Sequence, residues 1–160
     1  MGFDLTPIGR VAAGRERPED DGWGQERATI QLDPNRFEPA ALAGLDTFSH
    51  VEIIFVFHQV APTDIEYGAR HPRGRADWPR VGIFAQRGRH RPNRLGVSVA
   101  RLLRVEGLAL EVEGLDAIAG TPVVDIKPVM AEFLPRSAVR QPEWATALMQ
   151  GYWDGEITRN

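Results

Sequence analysis

Along this chain apolar and polar residues alternate over short stretches separated by Gly and Pro. That period of two predicts strands rather than helices. Arg27–Leu32 is the clearest stretch, with Ala28, Ile30 and Leu32 on one face and Arg27, Thr29 and Gln31 on the other. His50–His58 places Val51, Ile53, Phe55 and Phe57 on one face and Glu52, Ile54, Val56 and His58 on the other. Apolar residues on both faces predict a central strand covered on both sides. Strands are also predicted over Phe3–Val11, Val81–Ala85 and Thr121–Val129, and Gly96–Glu106 with Leu108–Glu113 reads as a hairpin turning at Gly107. In Thr121–Val129, plain alternation puts Val123, Asp125 and Lys127 on one face opposite Val124 and Ile126, with an Asp125–Lys127 salt bridge expected on a rim.

Between these runs, Ala13–Gly24 reads as a loop with turn chemistry at Asp20–Gly24, and Asp33-Pro34-Asn35 ends a strand. Pro39–Leu45 predicts one or two helical turns. Ala61–Pro79 reads as a loop long enough to be functional. Pro142–Gln150 has helix grammar: Pro142 suits the first turn, Trp144 and Leu148 are four apart, and Gly151 suits the C-cap. Six or seven antiparallel strands with one late helix and no βαβ rhythm predict a small, mainly β barrel or closed sandwich.

Composition narrows the chemistry. The 160 residues suffice for one domain with a real core. There is no cysteine, which excludes disulfides, thiolate nucleophiles and Cys-ligated metals. The longest apolar run, Ile53–Phe57, is too short to span a membrane, and the N-terminus has no signal-peptide pattern, so a cytoplasmic protein is expected. All but one of the 19 basic residues are Arg, the exception being Lys127. Eight of them fall in Arg70–Arg94 beside a single acid, Asp77, giving that window +7 against −10 for the rest. Codon preference can explain Arg over Lys but not the clustering, which reads as a footprint for phosphate or carboxylate.

His50, His58, His71 and His90 lack metal-ligand spacing. His50 and His58, on one extended strand, would stand about 26 Å apart, so no metal site is expected. Neither Ser49 nor Ser98 stands in a Gly-x-Ser-x-Gly setting. No glycine-rich nucleotide loop follows a strand and opens a helix. Three polar clusters remain: Phe57-His58-Gln59, the turn Gln86–Gly96, and Ala119–Pro128. Taken singly, each has a plainer reading: a strand-end histidine bonded to backbone, a solvated hairpin, and a rim salt bridge.

Together they resemble the TsaA-like, or TrmO, family. The segments are SHVEIIFVFHQ (Ser49–Gln59), VGIFAQRGRHRPNRLGVS (Val81–Ser98) and GTPVVDIKP (Gly120–Pro128), with Pro7-Ile8-Gly9 fitting the family start. The likeness covers about residues 5–135. It implies a small closed antiparallel β-barrel with a short C-terminal helix, usually dimeric, with residues 1–140 as the barrel and 141–160 as a helix and tail of the same domain. It further implies an S-adenosylmethionine-dependent methyltransferase acting on N6-threonylcarbamoyladenosine in tRNA, with no metal and no membrane. The other readings are a methyltransferase for a small molecule or another RNA, and a non-catalytic donor- or RNA-binding module. By resemblance the donor contacts are His58, Gln59, Arg87, Val97, Ala119, Gly120, Thr121 and Pro122, with Asp21, Gly22 and Trp23 as a looser match. Arg87 would pair with the donor carboxylate, the Gly120-Thr121 backbone would bond the adenine edge, and Val97 and Trp23 would cover its flat face. Arg89, Arg91, Asn93 and Arg94 would meet the RNA acceptor, and Arg70, Arg73, Arg75 and Arg80 would meet phosphate or a partner subunit. No catalytic base is assigned. The family usually reads R-P-N-P-I-G where this chain has Arg91-Pro92-Asn93-Arg94-Leu95-Gly96. Bacterial members also carry a C-terminal domain where this sequence runs into its Trp144–Tyr152 helix.

Overall fold

The structure, a computed structural model, describes residues 1–154. Its strands are β1 (Gly9–Ala13), β2 (Arg27–Leu32), β3 (His50–Val56), β4 (Ala69–Arg70), β5 (Val81–Gly82), β6 (Leu95–Glu106), β7 (Ala109–Glu113) and β8 (Pro122–Pro128). Six of them close into a barrel in the order β1-β2-β7-β6-β3-β8, and every pairing is antiparallel. β4 and β5 form a separate two-stranded ribbon. The helix α1 spans Glu143–Met149, and Gly151 takes a left-handed φ of 78° just beyond it. The mainly β barrel with a late helix is therefore the fold, and the sandwich alternative falls away. The last part of the expected tail lies outside the described residues.

The barrel interior is one apolar cluster. Val11, Ile30, Leu32, Val51, Ile53, Phe55, Leu110, Val112 and Val123 point inward and are buried, and Leu42 joins them from a 3₁₀ turn over Pro39–Leu42. Each such side chain contributes about 1.5–3 kcal/mol by leaving water. β3 is central, between β6 and β8, and its second face (Glu52, Ile54, Val56) is half-buried. It stops at Val56, where the Phe57 N–H donates to the Arg94 carbonyl, 2.8 Å, instead of to a strand.

Three expectations are corrected. The first strand begins at Gly9, not Phe3: residues 1–7 are exposed and Pro7 has no N–H for a ladder. Val81–Ala85 is half strand, since Ile83–Ala85 coils into a 3₁₀ turn. In β8 simple alternation fails. Ile54 pairs with Asp125 but Phe55 pairs with Val123, so Val124 is an extra residue in a β-bulge. Val123 thereby turns into the core with Ile126, while Asp125 and Lys127 stay outside as the expected ion pair.

Gly96 brings the core close to the functional turn. A Cβ there would stand 2.5 Å from the buried Phe55 ring. Gly96→Ala should cost about 1–3 kcal/mol through overpacking, read as a lowered denaturation midpoint with unchanged slope.

Candidate functional site

The barrel closes where β1 meets β8, through Gly9 opposite Val123 and Arg10 opposite Pro122. The ladder runs on into the Gly-Thr-Pro turn. The Val11 N–H donates to Thr121 O (2.9 Å), the Gly120 N–H to Val11 O (2.8 Å), and the Thr121 N–H to Ile118 O (3.2 Å). Gly120 sits at φ 87°, a conformation glycine takes without steric cost. A Cβ on it would lie 3.6 Å from His58 Nε2, so the imidazole lies against the turn. His58 and Gln59 are exposed and make no side-chain hydrogen bond among the described residues, so the plainer reading of a histidine bonded to backbone does not hold. The turn's N–H groups are spent internally, because the Ala119 N–H donates to Arg15 O, 2.8 Å. The turn therefore offers a ligand the carbonyls of Ala119 and Gly120.

Arg15 ties this turn to the loop after β1. Its carbonyl holds Ala119, and its guanidinium donates to Asp21 O (3.0 Å), Gly22 O (2.7 Å) and Glu26 Oε1 (2.8 Å). It also lies 4.0 Å from the centroid of the Trp23 ring. Trp23 is 3% exposed and its indole N–H donates to Glu19 O. Its ring is packing, with Arg15 on one face, rather than the open stacking surface expected for it. From the other side the chain after α1 lies along Gly22 and Trp23, and the Tyr152 hydroxyl donates to Asp116 Oδ2. Arg15 and Asp116 sit in loops without periodicity and carried no sequence signal; Tyr152, expected at the end of the Trp144–Tyr152 helix, lies beyond α1, which stops at Met149, and the fold sets its hydroxyl on Asp116.

The basic window divides into three groups. Arg87 donates from Nη2 to Val97 O (2.8 Å), which joins two of the expected site residues. Arg91 donates to Gln86 O (2.7 Å) and Arg94 to Val60 O (2.8 Å), so both guanidiniums hold loop backbone, whereas Asn93 and Arg89 are exposed. In the long loop, Arg73 pairs with Asp21, Arg75 pairs with Asp77 and lies over the Trp78 ring, and Arg70 meets His90 Nδ1 at 3.0 Å. Three of the four arginines expected to meet phosphate or a partner are therefore engaged within the chain. Arg80 alone of those four, together with Arg89, has no side-chain partner among the described residues. Among the described residues no group of three or more His, Asp or Glu is arranged to hold a metal ion.

A closed antiparallel barrel with a polar turn at its seam and a histidine against that turn makes this a small β-barrel domain. Residues 13–133 match the family model of the tRNA-methyltransferase O N-terminal domain, and the chain belongs to that family. A tRNA (adenine(37)-N6)-methyltransferase of Rattus norvegicus is 40% identical over 111 residues, 68% of this chain and 25% of that protein. A protein of Pyrococcus abyssi named a probable S-adenosyl-L-methionine-binding protein is 31% identical over 139 residues, 84% of this chain and 72% of that one. The crystal structure of TrmO from Pseudomonas aeruginosa superposes with a TM-score of 0.72 at 30% identity, covering 90% of this chain and 62% of that one. The chain thus spans about a quarter of the length of the rat relative.

His90 makes this region pH-sensitive. Burial, then the charges of Arg70 and Arg89, hold its pKa below the ordinary 6.5, with Asp64 opposing. On acidification the unfolded chain takes up this proton first, so the stability His90 confers is present above about 6.5 and lost below it. The melting temperature should fall between about pH 7.5 and pH 5.5. His90→Asn, which keeps an acceptor for Arg70 but does not titrate, should flatten that slope.

Proposed function

We propose that this chain is an S-adenosylmethionine-dependent methyltransferase domain acting on N6 of threonylcarbamoyladenosine in tRNA. The observation that carries the reading is that the end of the first motif segment touches both of the others: His58 lies against Gly120, and the Phe57 N–H donates to Arg94 O. The rat relative's name, and the donor in the Pyrococcus relative's name, support the same reaction and donor. Neither small-molecule methylation nor a non-catalytic role has an observation of its own in its favour.

The residues present fit such a donor. Arg87 keeps Nη1 and Nε free for a carboxylate. The Ala119 and Gly120 carbonyls suit the adenine amino group, a donor, with Thr121 and Pro122 fixing their direction. His58, Gln59 and the exposed Val97 border the same space, while Asp21, Gly22 and Trp23 support its wall. Bound there, the donor supplies a methyl on a sulfonium, which leaves as a neutral thioether. The protein's share of the rate is alignment of the acceptor nitrogen with that methyl.

The acceptor surface lies on the β4–β5 ribbon. Tyr67 and Phe84 are both more than three-quarters exposed there, next to the Gly68 O to Ile83 N–H bond; Arg80, just before β5, has no side-chain partner among the described residues, and neither has Arg89 in the turn that follows. Exposed aromatic rings with unpaired guanidiniums suit unstacked bases and phosphates of an RNA loop. A homodimer is supported by the outer face of β3 and β6. Ile54, Val56, Val97 and Val99 form an apolar stripe there, whereas β2 and β7 turn Arg27, Gln31, Glu111 and Glu113 outward. No helix of the described residues is long and apolar enough to cross a membrane, and a tRNA substrate accords with a cytoplasmic place of action.

Incubation with methyl-labelled donor and tRNA carrying the threonylcarbamoyl group should give the N6-methylated nucleoside, identified by mass. No incorporation into any tRNA would overturn the reading. Arg89→Ala should weaken tRNA binding and make its log–log salt slope shallower by about 0.7. Val99→Glu should convert the dimer to a monomer in sedimentation, and an unchanged mass would remove the stripe as the interface.

A further inference from the structure

Beyond β3 the Val60 N–H donates to the Phe57 carbonyl (3.2 Å), which closes a tight turn with His58 and Gln59 as its two central residues. One residue grips both ends of that turn. The Arg94 carbonyl accepts from the Phe57 N–H, and its guanidinium Nη1 donates to the Val60 carbonyl, each at 2.8 Å. Packing holds the same two ends: the Phe57 ring meets Phe55 edge to face, and Val60 is buried. Between them His58 and Gln59 are exposed, and neither side chain has a hydrogen-bond partner among the described residues. Their placement therefore depends on how the ends of the turn are held.

Arg94 reaches this position through strained backbone. Asn93 and Arg94 take φ 62° and 53°, in the left-handed region, where a residue with a Cβ persists only if its surroundings hold it. The Arg94 N–H closes its own turn on Arg91 O (3.0 Å), so its N–H, carbonyl and guanidinium are all spent around the end of β3. A guanidinium on a carbonyl is a charge-assisted bond, stronger than one between neutral groups. Arg94 is also half-buried, unlike the exposed Arg89. We infer that Arg94 is a positioning residue of the donor site rather than an RNA contact. It staples the Phe57–Val60 turn at both ends and so holds His58, with Gln59 next to it, against the Gly120 turn. The inference rests on the donor reading above and deepens it, by adding a residue that acts through His58 and Gln59.

Arg94→Gly in the full chain separates the two bonds. Glycine takes a φ of this sign without steric cost, so the backbone bond to Phe57 stays and only the guanidinium is lost. Arg94→Lys keeps a charged donor for Val60 O. In Arg94→Gly, amide hydrogen exchange at Val60 should quicken about tenfold while the amides of β3 keep their rates. S-adenosylhomocysteine, the stable demethylated donor, should bind about tenfold more weakly in calorimetric titration (about 1.4 kcal/mol). Arg94→Lys should recover most of both, and the salt slope of tRNA binding should match that of the unaltered chain. A slope shallower by about 0.7 would make Arg94 a phosphate contact and overturn the inference. Unchanged Val60 exchange overturns it too, as does faster exchange with unchanged S-adenosylhomocysteine affinity. Weaker binding that merely follows a lowered melting temperature, with the β3 amides quickened as well, would make the guanidinium a general brace and likewise overturn it. If the unaltered chain binds no S-adenosylhomocysteine, the donor reading falls instead, and Val60 exchange, which needs no ligand, still decides whether Arg94 holds the turn.

Discussion

The barrel is held shut by its shortest contact. β1 and β8 share only two paired positions before β8 gives way to the Gly-Thr-Pro turn, so closure depends on the turn itself continuing the ladder through Val11, Gly120 and Thr121. That constraint consumes the turn's N–H groups and the Thr121 carbonyl, and leaves the carbonyls of Ala119 and Gly120 without a backbone donor among the described residues. It also requires a glycine at φ 87°, which opens the space beside His58. The polarity of the site is thus a by-product of how the barrel closes. A turn with free N–H groups would favour an anion, whereas this one favours a group that donates.

The surplus of arginine has a structural cause in the same region. Arg15, Arg36, Arg91 and Arg94 donate to backbone carbonyls of loops and Arg87 to one of β6, at 2.6–3.0 Å. A chain with long connections and no cysteine must satisfy many loop carbonyls, and a planar guanidinium with five donors can serve two or three of them at once. Lysine, a compact point charge, could hold one geometry less firmly. The +7 window is therefore largely internal cross-linking. What remains for a partner is Arg80, Arg89 and the free edge of Arg87.

Local pattern revealed the elements but not their meetings. Arg27–Leu32 was legible residue for residue because both of its faces report directly on inside and outside. Phe3–Val11 looked equally good by hydropathy, yet its first half has no neighbour to pair with. The β8 bulge was invisible because an inserted residue shifts the period without changing the composition. The motif residues His58, Gly120, Arg87 and Val97 were legible through the resemblance; the fold sets His58 against Gly120 and bonds Arg87 to the Val97 carbonyl. Arg73 looked like a free cation because a window count cannot see Asp21, which lies far off in sequence and supplies its carboxylate. Tyr152 was hidden for the same reason: its meaning lies entirely in a long-range contact.

The turn that departs from the family pattern shows how a sequence difference can replace one source of rigidity with another. Where the pattern has a second proline, Arg94 takes φ 53°, which a proline ring fixed near −65° could not adopt. A β-carbon-bearing residue in that region is strained, so something must hold it. Two bonds do. The Arg94 carbonyl accepts from Phe57 N–H at the end of β3, and its guanidinium donates to Val60 O, where the long loop begins. Arg91 clips the other side of the turn to Gln86, whose amide in turn holds the Arg70 and Val81 carbonyls at both strands of the ribbon. Rigidity that proline would supply through its ring is supplied here by a network running from β3 to the ribbon. Since His58 and Gln59 lie between Phe57 and Val60, the two residues that Arg94 grips, the same substitution fixes the strand end that faces the Gly120 turn.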